Sequence, residues 1–493
     1  MLHKFIHIYF LPCLLSLGYT IGLGFWDYLL EAKDIIFFIL IFIFNIFFFI
    51  YIQQCKNRAL KNTLSFICLL LIFYISTATG FLQGHMSLGI IASVFQTNHN
   101  EAMEFISVIG YQYWLYSFIL FVLSIFYFYF YKIKYHVHLN KYFVYALLIL
   151  NISSIFILQV AHATVKYKKE EKELLSENTQ SIDWKIKKIQ SHYQNHVVII
   201  GESVQRDYLS LYGYEKKTTP FLDQMPLTIV DDYISTAPNT ATSLTRTLAY
   251  VDPQHEIKIA LNAVTLAKQA GFNTIWISNQ GFLGKRDTAI SKIAIHADHQ
   301  IFLKSGNYMS NNFDDEKLLT LLDQELKEHQ KTKNVIFIHM MGSHPDACER
   351  LFESPRLYPD QPESINCYLS SLNKLDHFIE KSYHILKASQ QSFNLTYFSD
   401  HGMTVTEDSY YVDNNAKNNY QVPFFVLNSD AKMTQHLKKT VSAYDFLNIY
   451  AGLIGVESDY LDSKRHLETI EDNKNVTVFD WNNYVPYKSL KDD

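Results

Sequence analysis

Leu395-Thr396-Tyr397-Phe398-Ser399-Asp400-His401-Gly402 is the stretch on which the reading of this chain turns. A short aliphatic and aromatic run stops abruptly at a carboxylate, an imidazole and a glycine. Such a run fits a strand buried on both faces. In open α/β sheets, ligand-binding groups gather just past the carboxyl ends of the strands. Val197–Ile200 repeats the pattern and runs into Gly201-Glu202-Ser203. Val335–Ile338 repeats it again and runs into His339-Met340-Met341-Gly342-Ser343-His344.

Further runs at Thr274–Ile277 and Phe424–Leu427 read as strands, and helical periodicity appears at Asp315–His329 and Tyr368–Leu386. Strands alternating with helices predict an α/β domain with a largely parallel central sheet. Taken singly, Glu202 reads as well as a helix cap, Asp-His-Gly as a turn, and His339 and His344 as a core and a loop histidine. At matching strand ends they converge, and carboxylate oxygens with imidazole nitrogen suit zinc, with manganese as the second choice.

The segment Ser235-Thr236-Ala237-Pro238-Asn239-Thr240-Ala241-Thr242-Ser243-Leu244 is rich in hydroxyls. A hydroxyl at the start of a helix sits where backbone N–H groups and the helix dipole favour an oxyanion or phosphate. A metal ion there would lower its pKa and make it a nucleophile. The same segment also reads as a capped Ser/Thr loop.

Upstream of this domain the composition changes. Apolar stretches at Phe5–Gly24, Ile35–Ile52, Leu64–Leu82, Gln112–Tyr131 and Tyr142–Val160 are each long enough to cross a bilayer. The mean hydropathy of −0.02 hides this contrast between the first third and the rest. Lys56, Arg58 and Lys61 lie between spans two and three, and Lys132, Lys134 and Lys141 between spans four and five. The other two connections, Phe25–Asp34 and the one around His85–Tyr111, are acidic on balance. The positive-inside rule then places the basic loops and the N-terminus in the cytoplasm and everything after about Val160 outside. In a bacterium with two membranes that means an inner-membrane protein with a periplasmic polar half. The first span lacks a small-residue cleavage site and reads as an uncleaved anchor.

Residues 161–195 read as a linking region, with Lys166–Ile189 as an amphipathic helix near the headgroups or a solvated linker. Residues 196–493 form the polar domain. A net charge of −5 gives no reason to invoke nucleic acid, and the chain is expected to work as a monomer. Of the five cysteines, Cys13, Cys55 and Cys68 sit in or beside apolar stretches. Cys348 and Cys367 are a candidate disulfide if the polar half lies in an oxidising compartment. The absence of a C-x-x-C argues against a zinc ribbon.

With these motifs in place, the chain resembles the membrane-bound phosphoethanolamine transferases that modify lipopolysaccharide, members of the alkaline phosphatase/sulfatase superfamily. Gly201-Glu202-Ser203-Val204-Gln205-Arg206-Asp207 with Gly213-Tyr214 and Thr219-Pro220, Asn239–Leu244, and Ser399-Asp400-His401-Gly402 carry the resemblance. It implies a five-helix membrane region, a linking helix and a sulfatase-like catalytic domain. It implies that Glu202, Thr240, Asp400 and His401 ligate one zinc ion, with Thr240 as nucleophile. His344, and with it His339, would hold phosphate oxygens or a second metal. Thr97 and Glu101 match positions lining the donor pocket. Tyr368, Ser371 and Asp376 match a helix packed under the site, a structural role.

The resemblance further implies a two-step transfer from phosphatidylethanolamine through a phosphothreonine-type ester to lipopolysaccharide. Two departures bear on this. Relatives often carry a histidine about a dozen residues after the Asp-His-Gly motif, and this chain has Asp413, which would bind metal or accept a proton instead. Lipid A-modifying members carry a cysteine-bridged nucleophile segment, and this chain has Thr236 there. Trp276-Ile277-Ser278-Asn279-Gln280 with Asp287-Thr288 looks closer to members acting on core oligosaccharide. The competing readings are a glycerol-phosphate polymer synthase using phosphatidylglycerol and an inactive membrane-anchored binding protein. A sulfatase is disfavoured by Leu244 and by a threonine that cannot become formylglycine.

Overall fold

The computed structural model describes residues 2–492 apart from 31, 33, 98, 178–181, 281–288 and 305–312. The chain forms two compact units: Met1–Ile91 with Phe105–Lys168, and Ala92–Glu104 with Lys169–Asp493.

In the first unit, Lys4–Gly22, Ile35–Gln54, Arg58–Ser76 and Tyr111–Phe130 are unbroken helices long and apolar enough to span a membrane. The third begins six residues earlier than the apolar pattern suggests. Asn57 caps it by accepting from the Leu60 N–H at 3.1 Å, which brings Arg58 and Lys61 into its first turn instead of a loop. The fifth predicted span is a broken pair, Lys141–Ile149 and Ile152–Lys169, bent by 40°. Asn151 makes the break: its Nδ2 donates to the Leu147 and Leu148 carbonyls while its Oδ1 accepts from the Ser154 N–H. One side chain thus ends one helix and starts the next. The loop expected around His85–Tyr111 contains two helices, Leu88–Gln96 and His99–Val108.

The expected linking helix over Lys166–Ile189 is corrected. The helix that starts at Ile152 continues to Glu177, and Ile186–Ile189 is a strand paired antiparallel with Val456–Ser458. Trp184 is fully buried in the catalytic unit and donates through Nε1 to Thr265 Oγ1 at 2.9 Å. A buried indole with a satisfied N–H anchors the linker to this unit.

The second unit is built on an eight-stranded sheet. Its strands are β1 (Asn195–Gly201), β2 (Thr228–Ile234), β3 (Asn273–Ser278), β4 (His299–Phe302), β5 (Asn334–His339), β6 (Phe393–Ser399), β7 (Gln421–Asn428) and β8 (Gln435–Ser442). They lie in the order β8-β2-β7-β6-β1-β5-β3-β4. All neighbours are parallel except at β7, which runs antiparallel to both β2 and β6.

Alternate residues of the central strands enter opposite cores. Val198, Ile200 and Phe337 face one, with Trp276. Val197, Ile199, Ile336 and Ile338 face the other, with Leu372 and Phe378 of the long helix Glu363–Ala388. Removing each such side chain from water contributes roughly 1.5–3 kcal/mol, which is why these runs read as continuously apolar. Register then sets function: Gly201 pairs with Ser399 and Ile200 with His339, so the residues that follow emerge side by side.

Candidate active site and metal centre

Gly201 lies against the Tyr397 hydroxyl, and a Cβ at that position would collide with it. The next residue, Glu202, is completely buried, and Ser203 adopts φ +60°, which swings its hydroxyl back onto Glu202. Ser203 Oγ donates to Glu202 Oε1 at 2.6 Å. Thr240 Oγ1 donates to Glu202 Oε2 at 2.9 Å, and Gln280 Nε2 reaches the same oxygen at 2.8 Å.

Thr240 is the first residue of the helix Thr240–Leu248, here α1. Asn239 caps that helix, accepting from the Thr242 N–H at 3.0 Å. The nucleophile candidate therefore stands at the positive end of a helix dipole. Ser243 Oγ, one turn on, donates to the Asp400 carbonyl at 2.6 Å and ties α1 to the end of β6.

Asp400 Oδ1 accepts from the backbone N–H of Ser203 at 3.0 Å and of His401 at 2.7 Å. Its other oxygen, Oδ2, is buried without a hydrogen-bond partner among the described residues. His401 Nδ1 lies 2.8 Å from the Gly402 carbonyl and donates to it, so Nε2 points toward the acids. That nitrogen is 3.4 Å from both Glu202 Oε1 and Asp400 Oδ2. Glu202, Asp400 and His401 each offer a ligand atom within 4.8 Å of the others, all buried.

These charges strain one another. Burial opposes ionising Glu202, but the hydrogen bond and charge of His401, helped by His344, hold it well below the usual carboxylate range. Asp400 is pushed up to about 7 by burial and by the charge of Glu202. His401 rises to about 9: burial opposes its charge, and Asp400 and Glu202 overcome that opposition. Two carboxylates and one imidazole, with an orphaned buried carboxylate oxygen, form a donor set that fits a divalent cation such as zinc. The carbonyl on His401 Nδ1, the Ser203 hydroxyl and the backbone N–H groups on Asp400 are the outer partners that orient metal ligands.

The remaining candidates fall out differently. His344 is half-buried; Nδ1 lies 2.7 Å from the Pro345 carbonyl, and its charge acts on Glu202. His339 ends β5, buried, with Nδ1 3.2 Å from Ser278 Oγ and Nε2 unpartnered. Burial, reinforced by Lys304 against the pull of Glu202, lowers its pKa to about 4, so it is neutral at pH 7. Asp413 accepts from the Asn415 N–H at 2.8 Å and is not a member of the close Glu202–Asp400–His401 group. Thr97 Oγ1 donates to the Ser93 carbonyl at 2.6 Å. Glu101 lies in the helix His99–Val108, but its side chain is outside the described residues, as are Asp287 and Thr288.

Tyr368, Ser371 and Asp376, all on the helix Glu363–Ala388, act as struts. Tyr368 Oη bridges the Ser203 carbonyl and the Gln205 N–H, and Ser371 donates to Ser343. Asp376 accepts from the Phe221 and Leu222 N–H groups at 2.8 and 3.0 Å. Cys348 and Cys367 are joined in a disulfide with a Cα separation of 4.8 Å.

Three contributors were not singled out from the sequence as site residues. Gln280 follows β3 as Glu202 follows β1, and that strand-end position was its signal. Ser203 adjoins Glu202, but its left-handed backbone leaves no mark in the sequence. Asp315 is buried and accepts from Met341 N, Gly342 N and Asn279 Nδ2, fixing the loop that carries His344. Nothing local distinguishes it from a helix-capping acid.

Comparison with known proteins bears on the family and the fold. The sulfatase family model matches residues 194–456. Phosphoethanolamine transferase OpgE of Escherichia coli (strain K12) is 38% identical over 288 residues, 57% of this chain and 54% of that protein. A Haemophilus influenzae protein provisionally named a phosphoethanolamine transferase is 34% identical over 358 residues, 69% of this chain and 73% of that protein. The match thus spans about half the length of the E. coli relative and more than two thirds of the Haemophilus one. The integral membrane lipooligosaccharide phosphoethanolamine transferase A of Neisseria meningitidis matches 92% of this chain and 97% of its own, with a TM-score of 0.60. At 17% identity that likeness is one of fold. The chain belongs to the membrane phosphoethanolamine transferase family of the alkaline phosphatase/sulfatase superfamily.

Proposed function

We propose that this protein transfers phosphoethanolamine from phosphatidylethanolamine to a lipopolysaccharide acceptor, core oligosaccharide before lipid A, from the periplasmic side of the inner membrane. The observation that carries the reading is the 2.9 Å hydrogen bond from Thr240 Oγ1 to Glu202 Oε2, beside the three clustered ligand groups at the start of α1.

Glu202, Asp400, His401 and Thr240 would hold the cation. A divalent cation there supplies positive charge that favours the ionised threonine and offsets charge on phosphoryl oxygens. In the first step Thr240 Oγ loses its proton and bonds to the donor phosphorus. The bond from phosphorus to the diacylglycerol oxygen breaks, and that oxygen takes up a proton. The positive end of α1 stabilises the phosphoryl group. His344, whose Nδ1 is engaged with Pro345, offers Nε2 to hold the phosphoryl group or carry the proton. In the second step an acceptor hydroxyl or phosphate oxygen bonds to phosphorus and Thr240 is released. Buried His339 supports β5 and does not contact the reacting atoms. Thr97 and Glu101 contribute to the donor pocket in this reading.

The test is to incubate the detergent-solubilised protein with phosphatidylethanolamine and no acceptor. Tryptic mass mapping should find about +123 Da, the mass of one phosphoethanolamine ester, on the peptide containing Thr240. An unmodified Thr240 peptide together with released diacylglycerol would refute the covalent step. Mass spectrometry of lipopolysaccharide, divided into core and lipid A with and without the gene, names the acceptor.

A further inference from the structure

A second cluster of ligand-type side chains lies at the other end of the sheet. His299 opens the edge strand β4, Glu325 lies near the end of the helix Glu316–Glu328, and His329 follows that helix immediately before β5. These positions flank the amino ends of the parallel strands, away from the carboxyl ends that bear Glu202 and Asp400. Each residue offers one ligand atom, and the three atoms lie within 4.8 Å of one another.

We propose that His299, Glu325 and His329 form a three-ligand zinc site that pins β4 to the carboxyl end of this helix. The two imidazoles converge on one oxygen without bonding to it. His329 Nε2 is 3.4 Å and His299 Nδ1 4.0 Å from Glu325 Oε2. Glu325 is 8% exposed, and both its Oε2 and His329 Nε2 are buried without a hydrogen-bond partner among the described residues. A buried carboxylate oxygen left unbonded is unfavourable unless a cation meets it. In tetrahedral zinc sites, metal–ligand distances of about 2.0–2.2 Å set neighbouring ligands roughly 3.3–3.6 Å apart; the 3.4 Å pair matches this and the 4.0 Å pair is longer.

The set is also held in place. Asp298, next to His299, accepts from Thr274 N and Oγ1 at 3.0 and 2.8 Å and pairs with Lys268 at 2.8 Å. The spacing of Glu325 and His329 by four residues puts both on one face of the helix end. Two imidazoles and one carboxylate are the borderline donors that zinc takes, with a fourth position left for water. The His299 side chain, 41% exposed, leaves a path for the ion. By contrast, His377, Glu380 and His384 on the helix Glu363–Ala388 form an exposed trio with side-chain exposures of 54%, 37% and 63%. That trio lacks a buried orphan and serves as a control for casual surface binding.

The test uses the full chain in detergent, stripped with a chelator, reloaded with a slight excess of zinc, desalted and analysed by elemental mass spectrometry. Asp400→Asn isolates this site by disabling the proposed catalytic one. A drop on Asp400→Asn alone reports on that other reading, so the two fail separately. In this background about one zinc per chain should remain, and Glu325→Gln or His299→Gln should remove it. His384→Ala should not. Cobalt loaded in place of zinc should show a visible ligand-field band that Glu325→Gln abolishes. Zinc should raise the thermal unfolding midpoint of Asp400→Asn, and Glu325→Gln should remove that rise. Unchanged zinc in both Glu325→Gln and His299→Gln, or equal loss in His384→Ala, overturns the proposal. Circular dichroism checks that each variant is folded; if Glu325→Gln is not, the edge-strand variant His299→Gln decides.

Discussion

Thr240 and Glu202 come from two elements 38 residues apart in sequence, yet Thr240 Oγ1 sits 2.9 Å from Glu202 Oε2. The pair joins the first residue of a helix to the first residue beyond a central strand. Replacing Thr240 by Ala removes the oxygen proposed to attack and little buried surface. Transfer should fall by at least about 10³-fold with the thermal midpoint nearly unchanged. Thr240→Ser keeps a hydroxyl and should retain part of the rate. Near-normal turnover in Thr240→Ala would sink the nucleophile assignment.

Gln280 donates to the same carboxylate oxygen at 2.8 Å and also to the Met340 carbonyl at 2.6 Å. It orients Glu202 without being a ligand. Gln280→Ala should weaken metal affinity by about 10–100-fold, as loss of outer partners does at metal sites. Zinc competition with a chromophoric chelator measures this. A rate loss with unchanged affinity would assign Gln280 to substrate contact instead.

Much of this site was legible because each half of it is local. A β run followed at once by Glu202, His339 or Asp400 states both the strand and its active end. What escaped the reading depends on partners far along the chain. Ile186–Ile189 carries a helix-like Lys pattern, yet its pairing partner is Val456–Ser458, and Ser458 Oγ bonds the Trp184 carbonyl across 274 residues. The reversed direction of β7 leaves no mark in Phe424–Leu427, since a strand buried on both faces looks the same either way. Asn151 broke the fifth span because one amide side chain can satisfy a helix end, which hydropathy does not see.

Gly342 has φ +52°, and a Cβ there would stand 2.9 Å from the Glu202 carbonyl oxygen and 3.0 Å from its N and Cβ. Both the backbone and the space demand glycine. Gly342→Ala should destabilise the domain by about 1–3 kcal/mol and displace Glu202, lowering bound zinc. Chemical denaturation with metal analysis on the same sample tests both. Full zinc at normal stability would show that the loop carrying His344 moves independently of Glu202.

The Cys348–Cys367 bridge closes a loop over a separation of 19 residues. By the loop-entropy argument its loss should lower stability by about 3 kcal/mol. Cys348→Ser with Cys367→Ser should unfold at lower temperature than the wild type under non-reducing conditions. Mass mapping that finds both thiols free in protein purified without reductant would remove the bridge.

His196, near the amino end of β1, supplies a pH dependence away from the Glu202, Asp400 and His401 cluster at the carboxyl ends of the strands. Its ring is buried, with Nε2 2.9 Å from Ser191 Oγ and Nδ1 without a partner in the protein. Burial first, then the charges of Lys333 and His192, lower its pKa from 6.5 to about 3. Above pH 6.5 the ring is neutral in both folded and unfolded chains and pH has no effect through it. Below 6.5 the unfolded chain takes up a proton that the folded one does not, so stability falls as pH falls toward 3. The loss through this group should be about 2 kcal/mol at pH 5. His196→Gln keeps a partner for Ser191 without titrating. The drop in unfolding midpoint between pH 7.5 and 5 should therefore be smaller in the variant than in the wild type. Equal drops would mean that the acid sensitivity of β1 comes from another group.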